Sequence, residues 1–410
     1  RIGLEQARTF WHRRQGLAAT LDMPRQELIR RSGWLRTLGG IDAYLAVRAR
    51  RPGVGRGEID AAVAAGRLRV MPAVRGCIYL VPETDAALAL RVAELQQRPR
   101  TLKELEKAGV GRDEVERLSR MVLELLQSGG PLTTDGIRKG LPPGAVRSLG
   151  EAGKKVGLSS PLPVALRELE FGGRIRRTLP HGRIDTEKYL WQVVEAPVGP
   201  RFPAEDTSGT FARLAEVFLR QAGPVSRDDF AAWSGLPKRE AQAALAAAGA
   251  VRVSVEGYSG EAYLRPEDRA ELAGSTRAAA RSALLAFEDN YLVLHGGPAL
   301  LTEPRHHVLP VENWSGGAAD TLGTARHVSQ RVILAGELVA GYWEYDPDMA
   351  GIIWRTFDPP SVELRRGLEA LGAETARFIS GELGHACSHS LDSEADLRRR
   401  ASRIRALSGQ

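Results

Sequence analysis

Residues 210–264 read TFARLAEVFLRQAGPVSRDDFAAWSGLPKREAQAALAAAGAVRVSVEGYSGEAYL, and the order of signals in them decides the fold. Thr210–Gln221 carries apolar residues at helical spacing and stops at Gly223-Pro224. Ser226 suits the N-cap of a helix over Arg227–Trp233, because its hydroxyl can accept an orphan N–H of the first turn. Ser234-Gly235-Leu236-Pro237 makes a turn, and Lys238–Ala248 reads as a second helix ended by Gly249. Val251–Val255 and Ala262–Leu264 alternate as two strands around Gly257–Gly260, which predicts a β-hairpin.

The same order occurs twice upstream. Leu4–Leu17, Pro24–Arg31 and Gly57–Gly66 read as helices, and Arg69–Val81 as two strands turning near Pro72 or Gly76. Ile41–Arg50 can be read as helix or as extended chain. Arg112–Gln127 then presents Val115, Leu118, Val122 and Leu125 on one helical face, and Gly129-Gly130-Pro131 breaks it. Thr133 or Thr134 can cap a short helix to Lys139, Leu162–Phe171 is a third helix, and Arg174–Trp191 turns at Pro180-His181-Gly182. Helix, turn, helix and a hairpin wing is the winged-helix plan. Three such units are expected, over 1–100, 101–200 and 201–270.

Beyond residue 270 the pattern changes. Leu284–Leu294, Arg331–Leu334, Leu338–Tyr345 and Gly351–Phe357 are strand-like, while Ser361–Leu383 and Leu397–Leu407 are helical. Pro298–Gly323 reads as a long loop. The fold class is therefore α+β, with a β-rich, barrel-like domain over 271–410.

The 410 residues are 43% hydrophobic and 26% charged, which excludes a disordered, collagen-like or coiled-coil chain. No run of about 18 apolar residues occurs, so no membrane partner is expected. The first residues carry no secretory pattern, although a short leader could have preceded them. Two cysteines, Cys77 and Cys387, form no disulfide framework and suit a reducing cytoplasm. The net charge is +7, and residues 1–56 alone hold twelve Arg against Glu5, Asp22, Glu27 and Asp42. Phe171–Arg183 holds four Arg and no acid. Clustered Arg of this kind is the footprint of a phosphate-backbone partner; the alternative is a solvated basic surface.

With these elements in place the chain resembles the tandem winged-helix DNA glycosylases of the AlkZ/YcaQ type. The resemblance rests on Leu38-Gly39-Gly40-Ile41, on Arg75-Gly76-Cys77-Ile78-Tyr79-Leu80-Val81-Pro82 and on Phe230-Ala231-Ala232-Trp233-Ser234-Gly235-Leu236. It rests also on Phe287-Glu288-Asp289-Asn290-Tyr291-Leu292 and on Gly336-Glu337-Leu338-Val339-Ala340-Gly341-Tyr342-Trp343. The family implies release of alkylated purines, unhooking of DNA crosslinks, a DNA-sized channel and no metal or organic cofactor. It also implies a catalytic Gln-apolar-Gln or Gln-apolar-Asp motif directly after the Gly-Gly-apolar step. Asp42-Ala43-Tyr44 stands there, with spacing and apolar middle kept and both polar residues changed.

Asp42 and Tyr44 are accordingly the candidate catalytic residues. A carboxylate can stabilise an oxocarbenium-like sugar and place a water, and a phenol can orient the water or stack on a base. The two share a side only if the segment is extended. The plainer reading has Asp42 capping a helix or paired with Arg36 or Arg48, and Tyr44 in the core. The candidate DNA contacts are Arg13 and Arg14 on the first helix, Arg75 beside the first hairpin, and Arg174, Arg176, Arg177, His181 and Arg183 on the second hairpin. Arg75 has a second reading, as a partner holding Asp42. His385-Ala386-Cys387-Ser388-His389 lacks the paired spacing of a metal site, so no metal is expected. A monomeric bacterial glycosylase acting on damaged duplex is the leading expectation. A non-catalytic DNA protein that shields lesions or regulates transcription is the alternative, and a small-molecule binder or assembly scaffold comes third.

Overall fold

The computed structural model describes residues 2–18, 23–195, 206–258, 260–275, 281–311 and 320–407. The first repeat runs α1 (Leu4–Arg14), α2 (Arg25–Ser32), β1 (Leu35–Arg36), α3 (Asp42–Arg50), α4 (Arg56–Ala64), β2 (Leu68–Pro72) and β3 (Ile78–Pro82). Ile41–Arg50 thus resolves as helix. A 25-residue helix, α5 (Glu83–Lys107), leads to the second repeat, and no sequence signal had marked it. That repeat runs α6 (Arg112–Gly129), β4 (Leu132–Thr133), α7 (Thr134–Gly140), α8 (Gly150–Lys154), α9 (Leu162–Phe171), β5 (Ile175–Thr178) and β6 (Leu190–Val193). The third runs α10 (Thr207–Ala222), β7 (Val225–Ser226), α11 (Arg227–Ser234), α12 (Lys238–Ala247), β8 (Val251–Val253), β9 (Ala262–Leu264) and α13 (Arg269–Ala273). Ser226 caps α11 through the Asp229 N–H, and Asp229 returns a bond to Ser226, a reciprocal cap.

Each repeat carries a three-stranded antiparallel sheet in which its last strand pairs with both others: β1-β3-β2, β4-β6-β5 and β7-β9-β8. A short strand between helices thus adds to a hairpin three times over. The expected boundary at 200/201, Ser259 of the third hairpin and 312–319 of the long loop lie outside the described residues.

The C-terminal region holds β10 (Ser282–Leu284), α14 (Asn290–Val293), β11 (Pro310–Val311), β12 (Asp320–Thr321), β13 (Arg331–Ala335), β14 (Leu338–Asp346), β15 (Gly351–Thr356), α15 (Val362–Phe378) and α16 (Glu394–Ala406). Its main sheet is open and four-stranded, in the order β10-β13-β14-β15. Among the described residues its strands do not close on themselves, so this open sheet is the part of the expected barrel-like domain that is observed. The strand-like reading of Leu284–Leu294 is corrected. The strand ends at Leu284, Glu288 takes a left-handed φ of 51°, and Asp289 caps α14 through the Tyr291 N–H.

The hydrophobic core crosses the repeats. One cluster joins Tyr44, Leu45 and Leu80 of the first repeat to Trp343 and Leu368 of the C-terminal region. A second joins Trp34 and Val81 to Phe218, Phe230 and Trp233 of the third repeat. In a third, Phe10 and Trp11 of α1 leave their own repeat and pack with Leu264, Leu285 and Tyr342. A fourth cluster lies wholly within residues 105–193, around Val122, Ile137, Leu162 and Trp191, while Ile184 of the same stretch joins the first. No helix among the described residues is long and apolar enough to cross a membrane.

Candidate active site

The Gly39-Gly40 step is shaped by a chain arriving from the C-terminal region. Gly39 has φ +77°, and a Cβ on Gly40 would stand 2.2 Å from the Ser388 carbonyl carbon and 2.4 Å from the Cys387 oxygen. The Ile41 N–H donates to the Cys387 oxygen at 2.9 Å, and the Ser390 N–H donates to the Leu38 oxygen at 2.8 Å. Only glycine permits backbone against backbone at this distance. Gly40→Ala is expected to cost roughly 1–3 kcal/mol, because the obstacle is main chain that cannot rotate away. Urea unfolding measures it, and an unchanged midpoint would refute this account of the step.

This clamp fixes the start of α3, where Asp42 occupies the first turn and complements the helix dipole. Its carboxylate is 10% exposed and fully occupied on one side. Oδ1 accepts from the Phe287 N–H at 2.9 Å and from Arg331 Nε at 2.9 Å, and Oδ2 accepts from Arg331 Nη2 at 3.2 Å. Arg331 is 1% exposed and also donates to Glu344 Oε1 at 2.6 Å, the Ala386 oxygen at 3.0 Å and Ser388 Oγ at 3.0 Å. Burial lowers the Arg331 pKa, but the charges of Asp42 and Glu344 outweigh it and the net shift is upward. Arg400 extends the chain from Glu344 to Asp392, whose Oδ2 accepts the Ser388 N–H. Asp42 is therefore paired with Arg331, not with Arg36 or Arg48, and not held by Arg75. Arg36 goes to Glu288 and Arg48 to Glu374.

The exposed side of Asp42 borders a cleft lined by Leu35, Arg36, Ala46, Phe287, Glu288 and Ser388. It has room for about one water molecule. The motif Phe287-Glu288-Asp289-Asn290 forms the facing wall, and each residue binds the first repeat. The Phe287 amide holds Asp42, and Glu288 holds Arg36 at 2.6 Å. Asp289 takes both terminal nitrogens of buried Arg50 at 2.8 Å, and Asn290 Nδ2 donates to the Ser32 and Trp34 oxygens. Sequence reading used this motif only as a family signal and assigned it no role. The one available hint was three polar residues inside an otherwise apolar run.

Tyr44 is a correction. Two residues along a helix lie about 200° apart, so it diverges from Asp42 and does not line the cleft. It is fully buried, with its hydroxyl donating to Asp60 Oδ1 at 2.6 Å and accepting the Ile184 N–H at 3.0 Å. Burial first, then Asp60, raises its pKa. Beside it Asp185 binds Arg183 and, at 3.0 Å, His385 Nε2. Burial raises the Asp185 carboxyl, but the bonds from Arg183 and His385 prevail and hold it near about 2. His385 is thus a hydrogen-bond partner of Asp185 and His389 bridges to Gly39, which accounts for the His-Cys-His stretch structurally.

The basic candidates divide. Arg13, Arg75, Arg174 and His181 are exposed, and Arg176 is half-buried with its guanidinium 3.2 Å from Gln192 Oε1. Arg75 sits at the turn of the first hairpin with φ 58°, its N–H donating to Gln96 Oε1 at 2.6 Å. Arg14, Arg177 and Arg183 are corrected. Arg14 is buried between Asp268 at 2.7 Å and Glu271 at 2.8 Å. Arg177 grips Glu170 at 2.9 Å with its guanidinium over Tyr189 and Trp191. Arg183 binds Asp185 and the Leu383 oxygen, so its donors face inward.

Comparison with known proteins adds the following. The family described as DNA glycosylase AlkZ-like matches residues 40–378. No curated protein matches. Among solved structures, Streptomyces sahachiroi DNA glycosylase AlkZ superposes with a TM-score of 0.67 at 18% identity, over 95% of this chain and 99% of that one. At that identity the likeness is one of fold.

Proposed function

The chain belongs to the AlkZ-like family of DNA glycosylases, and from that premise we propose that it excises alkylated or bulky purine adducts from duplex DNA. Family membership makes it a DNA-repair glycosylase; the substrate class and the residues are this reading. We read the three repeats as winged-helix units over 1–100, 101–200 and 201–270, followed by the sheet domain over 271–410. Arg13, Arg75, Arg174, Arg176 and His181 are the contacts to the DNA backbone, and the protein acts as a monomer.

The observation that carries the proposal is Asp42, a carboxylate pinned at a helix start and facing a cleft the size of a water. An alkylated purine with a cationic ring leaves readily. As its bond to C1′ breaks, positive charge develops on the sugar, and a fixed carboxylate stabilises that charge without reorganising. Water then adds to C1′ and loses a proton, leaving an abasic site.

The test is single-turnover incubation with duplex carrying N7-methylguanine, followed by alkaline cleavage. Wild type is expected to release the base, and Asp42→Asn, checked as folded by circular dichroism, to be slower by about 10²–10³-fold. Duplex affinity should fall about 100-fold between 50 and 200 mM salt if four phosphates are contacted. Full activity in the folded variant would remove Asp42 from the mechanism. The engagement of both Asp42 oxygens by Arg331 favours a second reading, a non-catalytic lesion-binding protein. Salt-sensitive binding without release, from either N7-methylguanine or crosslinked duplex, would establish that reading instead.

A further inference from the structure

Glu288 stands apart from the other acids of the site. It is a non-glycine residue held at φ 51°, a conformation that costs on the order of 1 kcal/mol and is retained where surroundings impose it. Its neighbours do so: Phe287 is tied to Asp42, and Asp289 to Arg50. The side chain is 13% exposed, and the residue lies on the wall shared by two clefts, the Asp42 cleft and a second one bordered by Arg326, His327 and Gln330. Its two oxygens differ. Oε2 accepts from Arg36 Nη1 at 2.6 Å, whereas Oε1 has His327 Nδ1 at 3.8 Å, beyond hydrogen-bond range.

We propose that Glu288 is a second catalytic carboxylate of this site, with Oε1 acting as the base on the attacking water. The inference rests on the glycosylase reading above. Asp42 is unsuited to the role because Arg331 and the Phe287 amide already occupy both of its oxygens. It keeps the role of fixed charge. Glu288 is held at one oxygen and open at the other, which orients a base without saturating it. As water oxygen bonds to C1′, the C1′–N9 bond breaks with its electron pair going to the purine. The water proton passes to Glu288 Oε1 and then to solvent. The charged or titratable groups that face Glu288 are Arg36 from β1, Arg326 and His327 from the segment before β13, and Asp42 and Asp289, themselves paired with Arg331 and Arg50.

The test compares wild type and Glu288→Gln on the N7-methylguanine duplex in single turnover across pH. Gln keeps the size and a bond to Arg36, and tolerates the same backbone. Release is expected to fall about 10²–10⁴-fold, with duplex affinity changed less than about threefold. The wild-type rate should drop on an acidic limb that the residual Gln activity lacks, which a merely structural role would not produce. If Glu288→Gln fails to fold, Arg36→Gln serves: loss of the cation should move that limb to higher pH while release persists. A folded Gln variant within about threefold of wild type, or an unmoved limb in Arg36→Gln, overturns the proposal. Wild type inactive on both substrates overturns the glycosylase reading itself, a distinct outcome.

Discussion

Replacing Arg331 by methionine is expected to lower the unfolding midpoint by roughly 3–6 °C, from a loss of about 3–5 kcal/mol spread over a chain of this length. The guanidinium is 1% exposed and neutralises two buried carboxylates on different parts of the chain, Asp42 of α3 and Glu344 of β14. Its removal leaves Asp42 with the Phe287 amide alone, while Glu344 keeps Arg400. An uncompensated buried charge costs far more than the pair contributes, so the loss reflects the stranded carboxylate. A double variant separates these terms. Arg331→Met with Asp42→Asn removes both charges and should recover a large part of the midpoint. The recovery would appear as a coupling of about 2 kcal/mol or more in a double-mutant cycle, since the groups touch. A single variant within about 1 °C of wild type would show that the network does not hold the site together.

That network shows where sequence reading ends. Helices with one buried face were legible: α9 matches its expected bounds, and α12 and α11 end within a residue of theirs. Each carries its own cap or breaker. The α5 helix was not legible, because it serves two neighbours. Leu88 and Val92 join the cluster of the first and third repeats, while Leu105 joins that of the second, and polar Gln96-Gln97-Arg98 with Pro99 lies between. No single apolar stripe runs its length. The position of the candidate site was legible from Gly39-Gly40-Ile41, but its partners were not. Arg331 is 289 residues from Asp42, and nothing local joins them. The trace it leaves is an Arg opening the apolar strand RVILA, since a charge buried in a strand must be paired. Basic character was equally ambiguous. Arg14 and Arg13 are adjacent, yet one is buried against two acids and the other faces solvent. Composition counts charges, whereas only packing shows which are already used.

Mild acid is expected to destabilise the protein well before its carboxylates protonate, and two buried histidines are the reason. His12 is pushed down to about 4, by burial first and then by the nearby charges of Arg281 and Arg50. His295 is also pushed down to about 4; burial prevails over the Tyr291 and Ala222 carbonyls that its ring nitrogens face. In the unfolded chain a histidine titrates near 6.5. Above that value both states are neutral and the stability is complete. As pH falls from about 6.5 to 4 the unfolded chain binds protons that the folded chain does not, so stability declines by up to about 1.4 kcal/mol per pH unit for each group. Asp185, held at about 2, continues the loss below its unfolded value, whereas Asp60 and Asp229, raised by burial, act in the opposite sense. Urea unfolding at intervals between about pH 7 and pH 5 measures the slope, which should approach 2–3 kcal/mol per unit, a large share of a typical folding free energy. His12→Leu should remove about half of it, because leucine fills the space and cannot take a proton. A midpoint independent of pH over that range would mean that both rings are already charged inside the fold. His295, with a carbonyl at 2.7 Å from Nδ1 and another at 3.1 Å from Nε2, would then be the ring to examine, since only its protonated form donates to both.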